Sequence, residues 1–104
     1  MKIKYYETYD GKIPFKKWFD SIKNKKIKIK IIAKLEYLES EVFSTSKPVG
    51  DGVFELRPYS IRIYYLKYKN EYIILLLGGE KNKQQQRDIE KAREYARDFI
   101  RRIE

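Results

Sequence analysis

Val53-Phe54-Glu55-Leu56-Arg57, Ile61-Arg62-Ile63-Tyr64-Tyr65 and Tyr72-Ile73-Ile74-Leu75-Leu76-Leu77 follow one another with only short breaks between them. The first alternates apolar and polar residues, and the last is an apolar run that stops at Gly78-Gly79. They predict strands over Val53–Arg57, Ile61–Tyr68 and Glu71–Leu77, joined by tight turns at Pro58-Tyr59-Ser60 and Lys69-Asn70. Neighbouring strands with such short connections pair antiparallel. Because side chains alternate between the faces of a strand, Glu55, Arg57, Arg62 and Tyr64 are expected on one surface, with Lys81 and Arg87 at its rim. A carboxylate and a phenol inside a ring of cations suit a phosphate-handling site. On charge alone, a solvated sheet face would look the same.

Upstream, Lys2 to Thr8 alternates and reads as a short strand, broken at Asp10-Gly11. Pro14 suits the first turn of a helix, and Phe15, Trp18, Phe19 and Ile22 follow at helical spacing as a core stripe. The run Lys26-Ile27-Lys28-Ile29-Lys30-Ile31 alternates like a strand. The longer window overrides it, since Ile27, Ile31, Leu35, Leu38 and Val42 keep helical spacing, so a helix is expected over about Lys25–Glu41 with Asn24 as its cap. Ser44 to Gly52 is rich in turn formers and reads as a loop. Downstream, a last helix begins near Lys83, with Asn82 and Gln85 placed as in a capping box. Its buried stripe is Ile89, Ala92, Ala96, Phe99 and Ile103. The expected class is α+β, a single small domain over residues 1–104 in the order β-α-α-β-β-β-α, with a mainly antiparallel sheet and the helices packed on one face.

The chain has 104 residues, room for one domain, and 24 basic against 15 acidic residues give a net charge of +9. That balance points towards polyanions or an acidic protein partner. Cysteine and histidine are both absent. Thiolate chemistry, disulfides and the commonest general acid/base are thereby excluded, and neither a metal site nor a cofactor is expected. No apolar run reaches the roughly 18–20 residues of a membrane span, and the N-terminus lacks a signal-like apolar segment, so a soluble cytoplasmic protein is expected.

Several strings occur in a recognisable order: Pro14-Phe15 with Trp18; Lys47-Pro48-Val49-Gly50-Asp51-Gly52-Val53 leading into Glu55-Leu56-Arg57; and Arg62 with Tyr64-Tyr65. Then come Leu75-Leu76-Leu77-Gly78-Gly79 with Lys81, and Gln85-Gln86-Arg87-Asp88-Ile89-Glu90-Lys91-Ala92. The ordered set resembles the RelE/ParE toxin superfamily, and more closely its phage-derived, HigB-like branch of addiction-module killer proteins. Two departures border the expected site: a shortened turn between Arg57 and Arg62, and one extra residue between Lys81 and Arg87. The resemblance implies a RelE-like fold and the toxin of a type II toxin–antitoxin pair, with a helix-turn-helix antitoxin as partner. RelE-side members cleave messenger RNA on the ribosome, whereas ParE-side members inhibit DNA gyrase. HigB-like members are placed on the RNA-cleaving side.

Cleavage of RNA through its 2′-OH needs a base, charge stabilisation at phosphorus and an acid for the leaving oxygen. Without histidine, Glu55 is the candidate base, with Lys81 as its competitor. Arg57, Arg62 and Arg87 are the candidate phosphate clamp, because guanidinium forks match phosphate oxygens. Tyr64, Lys83, Gln85 and Lys91 are candidates for RNA contact. The expected activity is that of a metal-independent, ribosome-dependent endoribonuclease that cleaves mRNA, with the ribosome and mRNA as partners. A gyrase inhibitor and an inactive basic binding domain are the alternatives.

Overall fold

The computed structural model describes residues 2–40, 46–57, 61–79 and 82–103, with side chains in the last segment from residue 84 onwards. The elements are β1 (Lys2–Tyr5), α1 (Pro14–Ser21), α2 (Lys25–Glu39), β2 (Ser46–Gly50), β3 (Val53–Leu56), β4 (Arg62–Tyr68), β5 (Glu71–Gly78) and α3 (Asn82–Ile103). The five strands form one sheet in the order β1-β5-β4-β3-β2, in which β1 runs parallel to β5 and the remaining pairs are antiparallel. The α+β class and the mainly antiparallel sheet are as expected.

The distribution of helices differs from expectation. Phe15 of α1 and Ile31, Leu35 and Leu38 of α2 pack with Leu56, Ile63, Tyr65, Ile74 and Leu77 on one face. Ala92 and Ala96 of α3 pack with Val53, Tyr64, Leu66, Ile73 and Leu75 on the other. The helices therefore cover both faces rather than one. The physical reason lies in β4 and β5, whose residues from Arg62 to Leu66 and from Tyr72 to Gly78 are all buried. Strands apolar on both sides need cover on both sides. A register shift in the β4–β5 ladder lies beside Leu75 and Leu76, which both join the α3 face. It breaks the strict alternation of β5, as an inserted bulge residue does.

The expected loop at Ser44–Gly52 contains β2, an edge strand paired with β3. Pro48 is tolerated there because an edge strand leaves one row of backbone groups without a ladder partner. Asp51 and Gly52 both have positive φ, 54° and 78°, between the paired residues Gly50 and Val53. This is the backbone of a two-residue hairpin turn, for which Asp-Gly is a preferred sequence. Lys69-Asn70 turns between Tyr68 and Glu71 as predicted. The Pro58-Tyr59-Ser60 turn lies outside the described residues, as does Val42. Helix α2 is capped by the Asn24 side chain, which accepts from the Lys26 amide, and it runs to Glu39 rather than Glu41. Ile103 is 41% exposed and drops out of the expected stripe of α3, in which Ala92 and Ala96 are the buried positions.

Two polar clamps fix α3 across the sheet. Arg93 Nε and Arg97 Nη1 both reach Asp51 Oδ2, at 2.8 and 2.6 Å, so the β2–β3 turn is tied to the middle of the helix. Nearer its C-terminus, the buried Tyr6 hydroxyl donates to Asp98 Oδ2 at 2.6 Å, and Arg102 pairs with the same carboxylate at 2.9 Å. Anchored at these points, α3 presents its first turns to the ends of β3 and β5.

Candidate functional site

Glu55 and Tyr64 are direct cross-strand partners on β3 and β4, on the face covered by α3. Both are buried, with the glutamate 2% and the tyrosine 0% exposed. A buried carboxylate must be compensated, and Glu55 is compensated from three elements. The Tyr64 hydroxyl donates to its Oε2 at 3.0 Å, and Gln85 Nε2, from the first turn of α3, donates to the same oxygen at 3.0 Å. Arg57 Nε donates to Oε1 at 3.1 Å. Burial works to raise the Glu55 pKa. The hydrogen bonds from Gln85, Tyr64 and Arg57, with the Arg57 charge, prevail and hold it below the ordinary glutamate range. Burial first, and then the Glu55 carboxylate, push the Tyr64 phenol above its ordinary value, so it stays a donor at neutral pH.

The arginines divide by exposure. The Arg57 side chain is 54% exposed while anchored on Glu55. That of Arg62 is only 6% exposed, lies 3.9 Å from Glu55 Oε2, and donates through Nη1 to the Gly79 carbonyl. Asp88, one turn after Gln85, completes the group around Arg62: burial raises its pKa and the Arg62 charge opposes the rise. Arg62 is thus a buried cation serving Glu55, Asp88 and the end of β5. Arg87 is exposed on α3, two residues beyond the Gln85 that grips Glu55.

Arg57, Glu55, Tyr64, Gln85 and Arg62 are therefore brought together, while Arg87 is an exposed residue of α3 with no described contact to them. Tyr64 is fully enclosed, so its ring is not available to stack on a base; the alternation rule placed it on the right face, but that face is the one α3 covers. Lys91 lies further along α3, where it pairs with Glu94 at 3.6 Å and sits over the Tyr95 ring. Gln85 directs its amide nitrogen to Glu55, whereas Lys81 and the side chains of Asn82 and Lys83 lie outside the described residues; α3 itself begins at Asn82. No sequence motif marks Asp88 as part of this group. The signal for it is Gly78: a Cβ there would lie 2.7 Å from Asp88 Oδ2 and 3.1 Å from Tyr64 Cε2. Gly78→Ala is accordingly expected to cost about 1–3 kcal/mol by overpacking, read as a lower midpoint in chemical denaturation.

The depressed Glu55 pKa fixes the sign of a pH dependence. The folded state holds this carboxylate ionised more firmly than the unfolded chain does. Its contribution is thus complete above the ordinary glutamate pKa and lost as pH falls through the lower, folded value. Asp88, shifted the other way, favours the folded state as it takes up its proton. Glu55→Gln should therefore melt lower than the parent at neutral pH but decline less between roughly pH 4 and pH 2. Parallel melting curves across that interval would contradict the assignment.

No helix among the described residues is long and apolar enough to cross a membrane. In comparisons with known proteins, residues 17–97 match the model of the family described as "Phage derived protein Gp49-like (DUF891)". An uncharacterised protein of Haemophilus influenzae is 35% identical over 89 residues, which is 84% of this chain and 90% of that relative.

Proposed function

Because this chain belongs to the phage-derived Gp49-like family, we propose that it is the toxin of a toxin–antitoxin pair, a HigB-like endoribonuclease that cleaves mRNA on the ribosome. The observation that carries this reading is the Arg57–Glu55–Gln85 junction. A half-exposed guanidinium is fixed by a buried, ionised carboxylate, which also grips the first turn of α3. An arginine held in this way is oriented before a phosphate arrives, and preorganised charge is the largest usual contribution to stabilising a transition state. Arg87 adds a second exposed guanidinium from the same helix.

In this mechanism the ribose 2′-oxygen attacks phosphorus and the P–O5′ bond breaks, leaving a 2′,3′-cyclic phosphate and a 5′-oxygen that takes a proton from water. Arg57 and Arg87 bind the scissile phosphate and neutralise the charge developing on it. Glu55 acts as a positioning residue. A buried carboxylate with a depressed pKa and three hydrogen-bond donors is a weak base, which moves the task of taking the 2′-OH proton to Lys81 or to a group on the ribosome. Arg62 holds Glu55 and the Gly79 carbonyl in place. With no strong acid/base pair near neutrality, the remaining acceleration comes from orientation of the mRNA by the ribosome, worth up to roughly 7–11 kcal/mol in favourable cases. Such a protein works in the cytoplasm and is held inactive by its antitoxin. The test is a reconstituted translation reaction in which mRNA 5′ ends are mapped. Cleavage within codons that requires ribosomes is the expected result, and intact mRNA in an otherwise inhibited cell extract would turn the reading towards gyrase.

A further inference from the structure

A groove of about 770 Å³ runs between the start of α1 and the middle of α3. Its floor is apolar, built from Ile13, Pro14, Trp18, Leu76 and Tyr95, and its rim carries Lys12, Lys16 and Lys17 against the single acid Asp20. The floor exists because β1 ends at Tyr5, opposite Ile74, so β5 continues past it to Leu76 with no described strand on that side. Lys12 makes only a long, exposed pair with Asp10 at 3.7 Å, and Lys16 and Lys17 have no ion pair among the described residues.

We propose that this groove is a docking site for an acidic amphipathic segment of a protein partner, laying apolar side chains on the floor and carboxylates along the three lysines. Charge and lining together select that occupant. An apolar trough flanked by cations matches the two faces of an amphipathic helix. A nucleic acid would need open aromatic faces for its bases, and those in the groove are engaged. Tyr95 stacks on Tyr6 with centroids 4.8 Å apart and has Lys91 over its ring at 5.3 Å. The indole of Trp18 lies against Gly79, close enough that a Cβ there would be 3.6 Å from it. That contact also makes the groove a neighbour of the Arg62–Gly79 junction, so a partner seated here would adjoin the candidate phosphate site. The inference does not depend on RNA cleavage.

Trp18 is the chain's one tryptophan, which makes its fluorescence a direct report from the groove. The full chain is titrated with three probes: a helical peptide with leucines on one face and glutamates on the other, the same peptide with lysines for glutamates, and a single-stranded oligoribonucleotide. The acidic peptide is expected to shift Trp18 emission saturably. The exposed triple variant Lys12→Glu, Lys16→Glu, Lys17→Glu, with circular dichroism unchanged, should weaken it at least tenfold. Absence of a shift with the acidic peptide, equal binding of the lysine peptide, or indifference to charge reversal would each overturn the proposal. An emission change by RNA that is lost in the triple variant would assign the groove to nucleic acid instead.

Discussion

Replacing Arg57 and Arg87 together by alanine is expected to abolish codon cleavage in ribosome-dependent translation, with about 10²–10³-fold lost for each donor removed from the phosphate. Arg57 is 54% exposed and Arg87 lies on the surface of α3, so neither supports the core, and the double variant should keep the parent's circular dichroism. Arg57→Ala does remove one of three donors to Glu55, and a modest fall in melting temperature is expected from that single change. The two arginines can be separated. Arg57→Lys restores charge but not the fork that reaches both Glu55 and a phosphate oxygen, and should recover only a small part of the activity. Full cleavage by the folded double variant would remove the phosphate clamp from the mechanism. Toxicity that persists in the double variant, with gyrase co-purifying, would favour the protein-inhibitor reading. A parent without toxicity or cleavage would leave a basic binding domain.

Arg62→Met has the other large expected effect, and on a different quantity. The Arg62 side chain is 6% exposed and sits 3.9 Å from the buried Glu55 carboxylate, with Asp88 also within its electrostatic reach. Removing the cation leaves two partly or wholly buried carboxyl groups without it, and breaking a buried ion pair from one side costs about 3–5 kcal/mol. For a domain of this size each kcal/mol lowers the melting temperature by roughly 4–8 °C, so a drop on the order of 20 °C is expected. Combining Arg62→Met with Glu55→Gln should return part of the loss, since the variant then buries a neutral amide in place of an orphaned charge. A thermal melt of the parent and the three variants reads this directly. An Arg62→Met protein as stable as the parent would mean that Arg62 is solvated in solution, and would restore it as a phosphate ligand.

Arg57 and Arg62 come from one stretch of sequence, and their different fates mark where reading by residue pattern stops. Alternation along β3 and β4 correctly put Glu55, Tyr64 and Arg62 on one face. It could not say that the face is closed. Closure depends on α3 returning over the sheet, held by Asp51 to Arg93 and Arg97 and by Tyr6 to Asp98, contacts spanning 42 to 92 residues along the chain. Asp51-Gly52 carries a local hairpin signal, but the turn formers spread over Ser44–Gly52 read equally as a loop, and only pairing with β3 makes Ser46–Gly50 an edge strand.

The sequence by itself determined the strand triplet, the helical reading of Lys25 onwards against its misleading alternation, the α+β class and the absence of any histidine or cysteine chemistry. These follow from periodicity, turn residues and composition, which act over a few neighbours. Tertiary structure alone decided that helices cover both sheet faces, that Arg62 is buried while Arg57 is not, and that Glu55 is held by Gln85 from 30 residues away. Burial and pKa are properties of what packs on a residue from elsewhere in the chain. The same composition that announces a cationic protein is therefore silent on which of its cations can meet a ligand.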